Sequence, residues 1–405
     1  MALGAYEKTG IISHVLPPAP SGQAMVLFRL LRGLARDRYC LISSGRNAGQ
    51  GESAATAPLD ADLFQLPKIR QLPPVSWPIL SPLFIGINTL WGVFRRWRQI
   101  EALARRERCR ALVACTGDFY DLPATFIACR RLGIAFVPYI FDDYAYQWLG
   151  FRRRIAKLVE PVLLRGGATV IVPNEYLQRE YRERHGVDCL VIHNPCPLPD
   201  LARLDREARI FPDGVNIVYT GAIYHAHYDA FANLVAALVL LGRQEVRLHL
   251  FTAQSERELA EQGISGPQVV RHPHVPQSEV DGILRQADIL FLPLAFSSPI
   301  PEVIRTSAPG KTGEYLAVGR PVLVHALPDS FLSWYFREHG CGMVVDQPDP
   351  QALSAAVETL LSDRGLQAEF GRRARERAGA DFDLAVVSSE FYHLLDRVAG
   401  CESAS

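Results

Sequence analysis

Lys311 and Glu314 stand three residues apart directly after a Pro-Gly pair, in the run Pro309-Gly310-Lys311-Thr312-Gly313-Glu314-Tyr315. Pro309 and Gly310 break whatever precedes them, and Lys311 to Val318 are mostly good helix formers, so both side chains fall on one face of a helix at its N-terminal end. That end has backbone N–H groups without intrahelical partners and a partial positive charge. A cation, free amides and one carboxylate, with the Thr312 hydroxyl beside them, suit a ligand with phosphates at one end and a diol at the other. A nucleotide meets that description. The same spacing also describes a solvated surface pair contributing only about 0.2–0.5 kcal/mol, so the surroundings have to decide.

Gly310-Lys311-Thr312 also ends like a phosphate-binding P-loop, Gly-x-x-x-x-Gly-Lys-Thr. Position 305 is Arg305 rather than Gly, and the approach is rich in Pro and Glu rather than a strand, which rejects a P-loop kinase or ATPase. Further polar candidates are Ser21-Gly22, Thr116-Gly117-Asp118, Asp142-Asp143, Asn174-Glu175, Gly221 with Tyr224-His225-Ala226-His227, and His274. His225 and His227 lack a nearby third ligand, no Cys-x-x-Cys pair occurs, and no Asp-x-Asp ends a strand, so no metal site is expected. Adjacent carboxylates such as Asp142-Asp143 are often helix caps. Their place at a strand end is what makes Asp142 a catalytic candidate.

The elements that must position these residues alternate. Gly10–Leu16 reads as a strand, residues 17–22 as a sharp turn, and Met25 to Leu34 as a helix. Strand 111–115, helix 121–132, strand 136–141, helix 151–164 and strand 169–173 follow, which makes a parallel, doubly wound sheet with its chemistry at the strands' carboxyl ends. A Pro-punctuated exit at 191–199 and a charged stretch at 201–213 read as a linker. Strands at 216–220, 247–251, 269–275 and 288–294 and a helix at 230–241 build a second such domain. Ser278 reads as a helix cap, with Asp281 in the capping-box position. Residues 301–310 read as loop, Gly319 and Pro321 stop the following helix, and Val322-Leu323-Val324 is a buried strand. The domains are 1–200 and 201–384, with a C-terminal helix over 385–405. Residues 45–62 read as a flexible excursion.

A chain of 405 residues exceeds one ordinary core and implies two domains. Lys+Arg and Asp+Glu are equal at 43 each, which argues against a nucleic-acid partner held by an overall field. Eight cysteines without zinc spacing read as reduced thiols, and no secretion signal opens the chain. These readings place the protein in the cytoplasm, or at the cytoplasmic face of the membrane. The apolar stretch Trp77–Phe94 holds two prolines, two glycines and Asn88, too many breakers for a spanning helix, and abuts Arg95-Arg96-Trp97-Arg98. It reads either as a helix buried on its own domain or, with Arg152–Arg154, as a surface for peripheral membrane contact.

Pro309, Lys311, Glu314, Tyr315, Ala317, Gly319, Pro321 and Val322 together resemble the donor-site segment Pro-x-Lys-x-x-Glu-Tyr-x-Ala-x-Gly-x-Pro-Val of retaining glycosyltransferases of family 4. The resemblance implies the GT-B fold, two Rossmann-like α/β domains facing a cleft, with the last helix crossing back onto the first. It implies transfer of a sugar from a nucleotide-diphosphate sugar to a glycan or lipid-linked acceptor, with retention and without a further cofactor. It gives Glu314 the ribose hydroxyls and places the loop bearing Ser21 and Gly22 opposite the donor diphosphate. Tyr224, His225 and His274 then offer hydrogen bonds in the donor site. Three positions depart from the family pattern: Thr306 stands where it has a second Glu, Phe141 where a His or Arg precedes the strand-end Asp, and Gly221-Ala222 where it has Gly-Arg. The diphosphate charge then falls to Lys311 and Arg305. A sugar-nucleotide epimerase of the same architecture and a non-catalytic nucleotide-sugar-binding subunit are the rival readings.

Overall fold

The computed structural model describes residues 8–17, 19, 21–45, 59–71 and 81–400. Pro18, Pro20, most of the 45–62 excursion, the first four residues of the 77–98 stretch and Cys401 lie outside them. The chain forms two compact units, one of residues 1–193 with 387–405 and one of residues 194–386.

In the first unit, the strands β1 (Thr9–Ser13), β2 (Tyr39–Ser43), β3 (Asp62–Gln65), β4 (Ala111–Cys115), β5 (Ala135–Tyr139), β6 (Ile171–Val172) and β7 (Leu190–Val191) form one parallel sheet in the order β3-β2-β1-β4-β5-β6-β7. β1, β2 and β4 are buried along their whole length. That burial explains their near-continuous apolar runs, since helices cover both faces of such a sheet. One face packs on helices Asp121–Leu132 and Gly150–Arg165 through Leu112, Ala114, Leu122, Ala128 and Leu164. The other packs on helix Gly22–Leu31 and the C-terminal helix Leu384–Ala399, whose Val387, Phe391, Leu394 and Leu395 join Ile11, Leu27 and Val113.

The second unit holds β8 (Val215–Thr220), β9 (Val246–Phe251), β10 (Val269–His272), β11 (Ile289–Pro293), β12 (Val322–His325) and β13 (Met343–Val345), all parallel, in the order β10-β9-β8-β11-β12-β13. The order reverses beside β8 and β11, and their carboxyl ends are where a doubly wound sheet binds ligands. The segment read as a linker is packed into this unit. Asn194 Nδ2 donates to Ala308 O at 2.8 Å, Cys196 N to Phe382 O at 2.8 Å, and Arg285 Nε to Asp205 at 2.7 Å.

Two expectations need correction. Residues Pro301–Thr306 are helical rather than loop, with Pro301 in the first turn, where its fixed φ and missing N–H do no harm. Ser278 does not cap the next helix: the chain turns helical at Gln277, with Pro276 at the cap and no side-chain cap bond, so Ser278 already lies inside. Residues Ser81–Arg106 form a single helix, as both readings of the 77–98 stretch allow. Its Gly92 serves packing, because a Cβ there would lie 2.6 Å from the Tyr120 ring. Among the described residues no helix is long and apolar enough to cross a membrane. The seven described cysteines are buried and form no disulfide among themselves.

Candidate donor site

The site is built on the end of β8. Tyr219, buried at that end, donates its hydroxyl to Ala222 O at 2.7 Å, closing the turn through Gly221. Tyr315, on the helix Lys311–Ala317, accepts from Thr220 N at 3.1 Å and so fixes that helix to the end of the strand. The consequence falls on Lys311, one turn earlier: its Nζ lies 4.9 Å from the centre of the Tyr219 ring, a cation–π distance. Among the described residues Lys311 has no carboxylate or hydrogen-bond partner. The next side chain, Thr312, is buried, and its Oγ1 also lacks a partner. A half-buried ammonium and an unsatisfied hydroxyl, side by side where a helix begins, are groups that an anion would satisfy.

Glu314 lies one turn along and accepts from Gln277 Nε2 at 3.2 Å. Gln277 opens the helix Gln277–Arg285, so two helix starts meet at this carboxylate. Across from Lys311, the loop after Gly221 brings in Tyr224, His225 and His227. The ring of Tyr224 is 4.5 Å from that of His227 and 5.3 Å from that of His225. His227 is buried and its pKa falls to about 3, chiefly through burial, then through the charges of Lys311 and His225. A neutral imidazole and an ammonium thus share this corner. Asp229, at the start of the helix Tyr228–Leu241, accepts from Phe296 N at 3.0 Å and Ser297 N at 2.8 Å, holding the loop after β11.

The structure therefore brings together Lys311, Thr312, Glu314, Gly221, Tyr224 and His225. His274 is exposed on the loop leading to Gln277. Arg305, the second expected cation, is half exposed in the last turn of Pro301–Thr306, with Nη1 3.9 Å from Asp329 Oδ2, so its charge is shared with a carboxylate. Thr306 is buried and donates its hydroxyl to Glu302 O at 3.1 Å, within its own helix. Sequence reasoning missed Gln277 and the depth of His227. A Gln at a helix start carries no signal for the first, while burial of His227 follows from the apolar run beginning three residues later at Ala230.

The remaining candidates belong to the first unit. Ser21 caps the helix Gly22–Leu31, accepting from Ala24 N at 3.2 Å, and an added Cβ at Gly22 would meet nothing within 4 Å. Asp142 is exposed at the end of β5, where Thr116 Oγ1 accepts from Phe141 N at 2.9 Å. Phe141 stacks on Tyr139 with centroids 4.3 Å apart, so this position serves packing. Asp143 pairs with Arg184 in a buried network with Glu160, and Asn174 caps its helix through Leu177 N at 2.8 Å. His14, which no sequence pattern singled out, follows β1. Its ring fills the space beside Gly117, and its Nδ1 is buried without a partner among the described residues. Burial lowers its pKa, against the pull of Asp118. Among the described residues no group of three His, Cys, Asp or Glu side chains is placed to hold a metal ion.

Comparison with known proteins agrees with this architecture. Residues 20–198 match the model of Glycosyltransferase Family 4, and residues 214–363 that of Glycosyl transferases group 1. Among curated proteins no sequence matches. Similar solved structures include a sucrose-phosphate synthase from Thermosynechococcus elongatus, with TM-score 0.70, 14% identity and 98% of this chain and 100% of that one covered. A trehalose 6-phosphate synthase from Burkholderia multivorans has TM-score 0.67 and 12% identity over 98% and 97% of the two chains. The Anabaena protein HepE, solved with UDP, has TM-score 0.64 and 14% identity over 96% and 100%. With a family model on each unit and parallel, doubly wound sheets in both, the chain belongs to the glycosyltransferases of group 1 and family 4, enzymes of the GT-B fold.

Proposed function

We propose that the chain transfers a sugar from a nucleotide-diphosphate sugar to a glycan or lipid-linked acceptor with retention at the anomeric carbon, and that the second unit binds the donor. The observation that carries this reading is Lys311, a cation held over the Tyr219 ring at the end of β8 with no carboxylate or hydrogen-bond partner among the described residues. Glu314 on the next turn, whose Oε1 accepts from Gln277 Nε2, is the residue we assign to the ribose diol. The HepE complexes with UDP and UDP-glucose support a nucleotide sugar as donor.

In the proposed reaction the bond from the anomeric carbon to the diphosphate oxygen breaks, and the diphosphate leaves with the electron pair. The acceptor oxygen bonds to that carbon, and its proton passes to the departing diphosphate. Negative charge grows on the leaving group, and a fixed ammonium stabilises it without reorganisation. With Lys311 supplying the positive charge, turnover is expected to persist in a chelator.

Thermal-shift measurement against UDP-, GDP- and ADP-sugars tests donor binding, since a ligand at 100 times its dissociation constant adds about 2.7 kcal/mol. Radiolabel from the stabilising donor should then appear in a lipid or glycan fraction. The Thr306 hydroxyl, bound within its own helix, favours a second reading, a nucleotide-sugar-binding subunit without turnover. Tight binding with no labelled product would select it. Stabilisation by none of these sugars would overturn the donor site.

A further inference from the structure

We infer that helices Ser81–Arg106 and Gly150–Arg165 of the first unit present a docking surface for an anionic phospholipid bilayer. The longer helix buries one stripe, Thr89, Gly92, Arg96, Ile100 and Ala104. A helix lying on a core needs only that one apolar stripe. This one carries a second: Leu83, Ile87, Leu90, Trp91 and Phe94 recur every three or four residues and are all exposed, Leu90 to 74%. The Trp91 and Phe94 rings stack at 6.1 Å. The shorter helix adds Val162 and Leu158, the latter exposed to 78%, and Leu149 precedes it. Exposed apolar surface of this extent marks an interaction site.

Charge selects the occupant. Each helix contains one acidic residue, Glu101 or Glu160, and both are buried and ion-paired, Glu101 with Arg105 and Glu160 with Arg184. The exposed charges on the two helices are therefore positive, among them Arg95, Arg98, Arg154 and Lys157. Between the helix starts lies an open pocket of about 440 Å³ lined by Pro82, Gly150, Phe151, Arg153, Arg154 and Lys157. Its apolar rim and cationic wall fit a phosphate headgroup whose acyl chains lie beside Leu90 and Trp91. A second copy of the chain is the poorer occupant, because a two-fold contact sets each patch against itself and would oppose like charges. Trp and Phe among cations is the composition of a helix lying in the headgroup region. Anionic lipid adds attraction for each cation near the surface.

The test is sedimentation of the full chain with vesicles of phosphatidylcholine alone, or with phosphatidylglycerol as a third of the lipid. The bound fraction should rise several-fold with phosphatidylglycerol at low salt and fall at high salt. Arg154→Glu with Lys157→Glu should remove the dependence on anionic lipid. Leu90→Ser with Trp91→Ser should weaken binding to both vesicles, with circular dichroism confirming the fold. Equal recovery in the supernatant with and without phosphatidylglycerol would overturn the inference, as would binding unchanged in both double variants. A concentration-dependent dimer that the Leu90→Ser, Trp91→Ser variant abolishes, with no vesicle binding, would give the surface to a second copy. Nucleotide-sugar thermal shifts on the same variants should match the parent, so failure here leaves the donor site standing, and the reverse.

Discussion

Lys311 occupies the space that a side chain at Gly221 would need: a Cβ built there would lie 2.9 Å from Lys311 Cε and 3.1 Å from its Nζ. Gly221 also has φ of +111°, which side chains disfavour. The glycine at the end of β8 thus admits the lysine that the helix Lys311–Ala317 sends back to it.

Gly221→Ala is accordingly expected to push the ammonium off the end of β8. With the donor identified by the thermal-shift panel, its kcat should fall about as far as that of Lys311→Ala, a loss on the order of 1.5–3 kcal/mol for one charge-assisted contact. The double variant should be little worse than either single one, because both changes remove the same interaction. Steady-state kinetics on the four proteins measures this. Losses that add would mean that the two residues act separately.

Glu314 and Lys311 should separate by kinetic parameter. Glu314 is assigned to neutral hydroxyls present equally in ground and transition states, so Glu314→Gln should chiefly raise the donor KM, by about 1.5–3 kcal/mol. Lys311→Ala should chiefly lower kcat, because the charge it meets grows during the reaction. Arg305→Ala should have the smaller effect on kcat, since Asp329 shares that charge. A larger loss at Arg305 than at Lys311 would move the diphosphate toward the helix Pro301–Thr306.

The alternating strands were legible because parallel strands covered on both sides need unbroken apolar runs such as Ala111–Cys115 and Val322-Leu323-Val324. The core of the donor site was legible for a related reason: Lys311, Glu314 and Tyr315 fall within one short helix whose stops are local. Side chains brought in from elsewhere were not. Gln277 meets Glu314 across 37 positions, and His14 meets Gly117 only because β1 and β4 are neighbours in the sheet. The helix Pro301–Thr306 is hidden because a Pro- and Glu-rich approach reads as loop, whereas Pro301 stands in a first turn, and the cap at Ser278 fails because its helix starts one residue earlier. The second apolar stripe of Ser81–Arg106 needed burial to be seen, since sequence shows apolar residues on two sides without saying which is covered.

The last prediction concerns acid. His227, His249 and His325 are buried in the second unit and held neutral mainly by that burial, His227 to a pKa of about 3 and the other two to about 4. His325 fits the neutral form, with Nδ1 2.8 Å from Val345 O and Nε2 3.2 Å from Asn233 Nδ2. Unfolded, each titrates near 6.5, so between about 6.5 and 4 the unfolded chain binds protons that the folded unit refuses. Stability is then fully present above the unfolded value and is lost as pH falls through this window. Three such groups give a slope of at most about 4 kcal/mol per pH unit. Asp121 and Asp143 of the first unit, both raised mainly by burial, act in the opposite direction, so a single pH curve of the parent would mix the two. The comparison that isolates the histidines is urea unfolding of the parent and of His325→Gln at pH 7 and pH 5. The variant is expected to be less stable at pH 7 but to lose less on acidification, by up to about 2 kcal/mol over that interval. Equal losses in the two proteins would show that His325 takes up its proton in the folded chain as readily as in the unfolded one.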